Sequence, residues 1–142
     1  MENNSVLTFK STAKYAETHE EDTIEFLTNA NLTKKNNKYY VIFNYPEEYV
    51  TANQTKATLK IENDKVTLLK YGVHCTQFIF EQGQQHNGHY ETDFGSLSVG
   101  IFADNVSVDI DDNGGDINLD YRIYFNDLVT HRTNLSINLK KI

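Results

Sequence analysis

The sequence predicts an all-β fold: a single antiparallel meander of about eight to ten strands closed into a β-barrel. Three observations lead there. Apolar residues recur at every second position in short runs along the chain, Asn, Asp and Gly break those runs at hairpin spacing, and proline occurs once, at Pro46. Strict alternation sets one side of a strand against a core and the other in water. A meander of this many strands leaves unpaired edges unless the sheet closes or folds over, so a barrel or sandwich follows, and the barrel is the expectation.

Each run can be read in turn. Leu7, Phe9, Ser11, Ala13 and Tyr15 alternate with Val6, Thr8, Lys10, Thr12 and Lys14. Ile24, Phe26 and Thr28 form a second face, and the run 39–45 forms a third strand that stops at Pro46, which has no N–H to donate to a ladder. Thr55, Ala57, Leu59 and Ile61 follow, and Asn63-Asp64 reads as a tight hairpin into the run 66–71. Further strands are predicted at 76–80, 89–94, 97–102 and 106–110. The last two runs are the clearest, with Ile117, Leu119, Tyr121, Ile123 and Phe125 on one face, then Leu135, Ile137 and Leu139. Only 13–21 and 47–54 could be helical, and both are short and polar.

At 142 residues the chain is expected to form one domain, 1–142, large enough to bury a core. Hydrophobic residues make up 39% and charged residues 23%, the balance of a soluble globule. A net charge of −7 opposes a phosphate backbone, so no nucleic-acid partner is expected. The start, Met1-Glu2-Asn3-Asn4-Ser5, lacks the basic and apolar segments of a secretory signal, and no apolar run reaches membrane-spanning length. A cytoplasmic protein without membrane attachment is the simplest expectation. Cys75, the single cysteine, allows neither an internal disulfide nor a cysteine-based zinc site, and reads as a small core residue.

The motifs that could carry chemistry are few. Asp109-Ile110-Asp111-Asp112-Asn113-Gly114 matches the opening of a calcium loop, but Asp116 and Asp120 then stand where an apolar residue and a bidentate Glu belong. It reads instead as an acidic hairpin in which Asn113, Gly114 and Gly115 supply positive φ angles. His86 and His89, with Glu81 nearby, have spacing open to a divalent ion, but 82–88 reads as a polar loop with solvated histidines. No metal site and no cofactor are expected. His74 and Cys75, adjacent on a strand, would face opposite sides, and no Gly-rich phosphate loop occurs. Lys70 is different, because it shares the phase of Val66 and Leu68 and so points into the barrel unless its strand-end position lets it reach solvent. An inward lysine requires a counter-charge or an anionic ligand. Arg122, opposite the apolar phase of its strand, is expected outside.

The order and spacing of several segments resemble the YwiB-like family of small bacterial proteins bearing a domain of unknown function. They are Thr23-Ile24-Glu25-Phe26, Thr55-Lys56-Ala57-Thr58-Leu59-Lys60, the run 66–72, Gly88-His89-Tyr90-Glu91-Thr92-Asp93-Phe94-Gly95, and 112–121. Asp93 stands where that family usually has Pro, and Lys70 where it commonly has Arg, which removes bidentate anion recognition. The resemblance implies a calycin-like barrel of the lipocalin and fatty-acid-binding-protein type. Such a barrel is filled by its own side chains or holds one small ligand.

Three functional expectations follow. The first is a non-enzymatic module whose interior takes a small, partly apolar or anionic ligand, met by Lys70 with Tyr90 as a polar handle. The second is a protein interaction module with a filled barrel, as monomer or homodimer, acting through its surface. The third is an enzyme of unknown reaction, supported only by His89 and Glu91 sharing a strand face.

Overall fold

The computed structural model describes residues 3–46, 54–72, 75–92 and 95–142, with the side chains of 54, 55 and 90–92 outside that description. Ten strands run in chain order: β1 (Ser5–Tyr15), β2 (Glu21–Lys35), β3 (Lys38–Asn44), β4 (Gln54–Glu62), β5 (Lys65–Gly72), β6 (Thr76–Glu81), β7 (Gln85–Thr92), β8 (Gly95–Asp111), β9 (Gly114–Phe125) and β10 (Leu128–Lys141). Each pairs antiparallel with the next, and β1 pairs with β10 from Ser5↔Lys141 to Tyr15↔His131, closing the barrel. Closure leaves no terminal strand with an unpaired row of N–H and C=O groups. In such a meander alternate strands run the same way, so the C-terminal ends of β1, β3, β5, β7 and β9 surround one mouth.

The inward phase is the one that the alternation predicts. Leu7 and Phe9 of β1, Val41 and Phe43 of β3, Leu59 and Ile61 of β4, Val66 and Leu68 of β5, and Ile117 to Ile123 at every second position of β9 are buried. Ten strands enclose a wider interior than eight, and large rings fill it. Phe9 stacks on Phe26 with centroids 4.6 Å apart, and Phe80, fully buried, meets the Tyr121 ring at 4.6 Å. At β7 the space is so tight that the inward residue is Gly88, where a Cβ would lie 2.8 Å from the Gln77 carbonyl oxygen and 2.9 Å from the Phe78 ring.

The structure corrects several sequence expectations. The two strands expected at 97–102 and 106–110 are one, β8, with a bulge between Ala103 and Asn105. The extra residue switches the inward phase from Val99, Ile101 and Ala103 to Val106, Val108 and Ile110, so a single bent strand mimics two. The possible helix at 13–21 is instead the end of β1, a turn and the start of β2, because the β1 ladder to β10 holds as far as Tyr15. The other possible helix, 47–54, falls outside the described residues up to Gln54, which opens β4. The polar loop expected at 82–88 is in part strand β7. Cys75 is exposed, not a core residue, since it precedes β6 in the connection from β5, while His74 lies outside the described residues. Arg122 does lie outside the barrel, donating to both Asp104 carboxylate oxygens at 2.7 and 3.0 Å across the face of the Phe102 ring.

The acidic segment at 109–116 is a hairpin connecting β8 to β9, as expected, although its positive φ angles come from Gly114 (114°) and Gly115 (142°) and not from Asn113. A Cβ on Gly115 would fall 1.9 Å from the Asp109 carbonyl oxygen, whereas one on Gly83, also at positive φ, would meet nothing within 4 Å. Gly83→Ala should therefore destabilise by about 1 kcal/mol, the left-handed backbone penalty alone, and Gly115→Ala by more than about 2 kcal/mol. Urea unfolding of the two variants measures the difference.

Candidate functional site

The aromatic filling stops short of one mouth, and a cavity of about 180 Å³ remains there inside the barrel. Its deeper wall is apolar, with Phe9, Leu68, Phe78 and Leu135, and its outer wall carries Tyr45, Lys70, His131 and Thr133. The register accounts for this layering. Leu68 pairs with Phe78, and one inward step toward the mouth Lys70 pairs with Thr76.

Lys70 thus occupies the inward position predicted from its phase with Val66 and Leu68. The residue as a whole is partly exposed, and its ammonium lies in a protein-dense setting with Nζ 4.8 Å from the centre of the Tyr45 ring. That contact is a cation–π interaction, favourable in a desolvated setting. Among the described residues no carboxylate comes within ion-pair distance of Lys70, and the cavity wall contains none. Burial without a counter-charge disfavours the ammonium form and pushes the Lys70 pKa down from its usual value.

Tyr45 was not singled out by its position in the sequence, yet it continues the inward phase of Val41 and Phe43 up to Pro46. Its ring is held edge-on by Phe9 at 5.9 Å and Phe26 at 5.5 Å, with Phe43 tilted against it at 5.4 Å. Its hydroxyl is buried and has no hydrogen-bond partner among the described residues. Burial raises its pKa far above the ordinary tyrosine value, so the phenol keeps its proton. An unpaired buried hydroxyl is disfavoured by about 1–3 kcal/mol, which makes this group a waiting donor.

His131 lines the same cavity from β10, and its ring lies 5.3 Å from that of Tyr15. The Thr130 hydroxyl donates to the Ile123 carbonyl at 3.1 Å, and its one proton is then committed. The 3.1 Å contact between Thr130 Oγ1 and His131 Nδ1 therefore has Nδ1–H as donor, leaving Nε2 unprotonated. Desolvation lowers the His131 pKa and so favours the neutral ring.

The Tyr90 backbone lies opposite Thr76, which itself lies opposite Lys70, so the two expected site residues share one cross-strand row. The Tyr90 side chain is outside the described residues, as is that of Glu91, the expected partner of His89. His86 is paired with Glu81, Nε2 to Oε1 at 3.0 Å, and His89 lies an odd number of strand positions, three, further on, so the two rings sit on opposite faces. No group of three or more His, Cys, Asp or Glu poised to hold a metal occurs among the described residues.

Outside the barrel at the same mouth, the turns after β1 and β9 flank a cleft of about 530 Å³ lined by Tyr15, Phe125, Leu128 and Val129, with Glu17, Glu20 and Asp22 at its border. Tyr15 and His131 stand between this cleft and the interior.

The lysine gives a pH signature. A lysine pKa lowered on folding means that the unfolded chain binds more protons than the native state up to the ordinary value near 10.5, so stability rises with pH through that window. Lys70→Met should raise stability at neutral pH and flatten the rise. Urea midpoints between about pH 7 and 9.5 check this below the range where tyrosines ionise.

Comparison with known proteins agrees with the architecture. The chain is 26% identical over 117 residues to the uncharacterized beta-barrel protein YwiB of Bacillus subtilis (strain 168), an alignment spanning 82% of this chain and 80% of that protein. The crystal structure of the ywiB protein from Bacillus subtilis superposes with a TM-score of 0.83 at 20% identity, covering 99% of this chain and 92% of that one. Residues 8–137 match the family described as Domain of unknown function (DUF1934). With the closed meander and nearly the whole length in agreement, the chain belongs to the DUF1934 family.

Proposed function

We propose that this protein is a non-enzymatic binding module of the cytoplasm whose barrel interior takes a small, partly apolar or anionic ligand beside Lys70. One observation carries the reading: an ammonium in a protein-dense setting, with no carboxylate partner among the described residues, stands on the wall of an interior cavity. Such an arrangement is unfavourable when empty and is relieved by a ligand that supplies the missing partner. The cavity volume of about 180 Å³ lies below the roughly 300 Å³ of common ligand pockets, which restricts the occupant to a small molecule. At about 30 Å³ per water-sized group, it holds about six such groups. Tyr90, in the same strand row as Lys70 and Thr76, is the second polar handle of this reading.

The reading is tested by native mass spectrometry of protein isolated from its own host, followed by denaturation, together with an NMR screen of fragments of up to about eight non-hydrogen atoms. The expected result is one small molecule per chain, or fragments that shift resonances of Leu68, Phe78 and Leu135. An apo mass combined with no fragment reaching the interior overturns it.

The outer cleft favours a second reading, a surface-acting interaction module. Leu128 is 71% and Phe125 41% exposed, beside three carboxylates and with no cation in the lining, which suits a basic, partly apolar partner. A photo-crosslinker at position 128 should then yield a discrete adduct in cells where one at position 8 does not. Equal labelling from both positions removes this reading.

A further inference from the structure

We propose that the interior site recognises a short-chain monocarboxylate, its carboxylate held between the Lys70 ammonium and the Tyr45 hydroxyl and its alkyl tail directed inward onto Leu68, Phe78 and Phe9. This rests on the interior-binding reading above and names the ligand class. Four features of the site combine to select it.

Of the polar groups on the cavity wall, Lys70 and Tyr45 present donors. Lys70 offers N–H groups and no lone pair, and the Tyr45 phenol keeps its proton and has no hydrogen-bond partner among the described residues. Two donors and one positive charge match a planar monoanion with two acceptor oxygens. A phosphate monoester, with about two negative charges near neutral pH, would leave charge uncompensated opposite a single lysine.

The register then orients the ligand. Lys70 pairs with Thr76 toward the mouth, while Leu68 pairs with Phe78 one inward step deeper, both of them nearly buried. The charged end therefore belongs outward and the apolar end inward. The cavity of about 180 Å³ sets the length, since about six water-sized groups correspond to an acid of about four carbons with its two oxygens.

The charge balance is settled by the same pairing. Burial disfavours the ammonium form and an anion at its side favours it, so binding raises the Lys70 pKa. Any proton exchanged on binding is therefore taken up. Neutral alcohols of equal length fill the same volume without engaging the charge.

The test titrates acetate, butyrate, hexanoate and decanoate, with 1-pentanol as the neutral control, into the full-length protein and its Lys70→Met and Tyr45→Phe variants. Chemical-shift mapping locates each ligand, and calorimetry in two buffers of different ionisation enthalpy counts protons. Butyrate is expected to bind tightest of the series, with any exchanged proton taken up. Lys70→Met should weaken it roughly tenfold to a hundredfold, and Tyr45→Phe by a smaller factor, with pentanol unaffected. Lys70→Met removes an inward amine with no carboxylate partner among the described residues and is expected to fold, which keeps its result interpretable. If pentanol binds inside as well as the acids do, or the acids are indifferent to Lys70→Met, the carboxylate assignment falls and the interior-binding reading stands. If neither acids nor alcohol shift the interior resonances, both fall.

Discussion

The pairing of β1 with β10 is the constraint on which the rest of this structure depends. It runs the full length of β1, from Ser5↔Lys141 to Tyr15↔His131, and joins the two ends of a ten-strand meander that would otherwise expose two edges. Closure also sets the circumference, and the circumference sets the interior volume. Five phenylalanines and Tyr121 occupy the central layers because smaller side chains would not span a barrel of this width.

The same closure creates the site. His131 and Thr133 of β10 reach the cavity beside Ser11 and Ala13 of β1 only because these distant parts of the chain are neighbours across the seam. Toward the mouth, small residues on β1 and a lysine on β5 replace the rings that fill the centre, and the packing leaves a void. A dry apolar void is tolerable, but one walled by an ammonium and a phenol hydroxyl is poised for an occupant. The Tyr45 ring partly compensates the lysine through its face, at a distance of 4.8 Å, while its own hydroxyl goes without a partner among the described residues.

Outside, the barrel is held by polar pairs in register. Asn138 donates to Asp116, Ser136 to Asn118 and Asn134 to Asp120 across β9 and β10, and Arg122 joins Asp104 beneath the bulge of β8. These exposed contacts contribute modestly one by one, and they mark the wet face that the alternation requires.

The amino-acid sequence by itself determined the antiparallel meander and the inward phase of most strands, because side-chain direction in a strand follows from a period of two, and it left open whether Lys70 follows that phase or reaches solvent at its strand end. It misled where local pattern and long-range pairing disagree. The phase slip at Asp104-Asn105 reads as a chain reversal but is a bulge, because the β9 ladder holds on both sides of it. The stretch 13–21 reads as a short polar helix, but its first residues are held in β1 by the ladder to β10 as far as Tyr15, and β2 begins at Glu21. Tyr45 was legible in principle, as the last inward residue before Pro46, but nothing local marks its hydroxyl as unpartnered. Whether the barrel is hollow, which residues meet Lys70 and where His131 and Thr133 come to lie were decided only in three dimensions. Those depend on closure and on how rings from ten strands interlock, and neither is encoded in the spacing along any one strand.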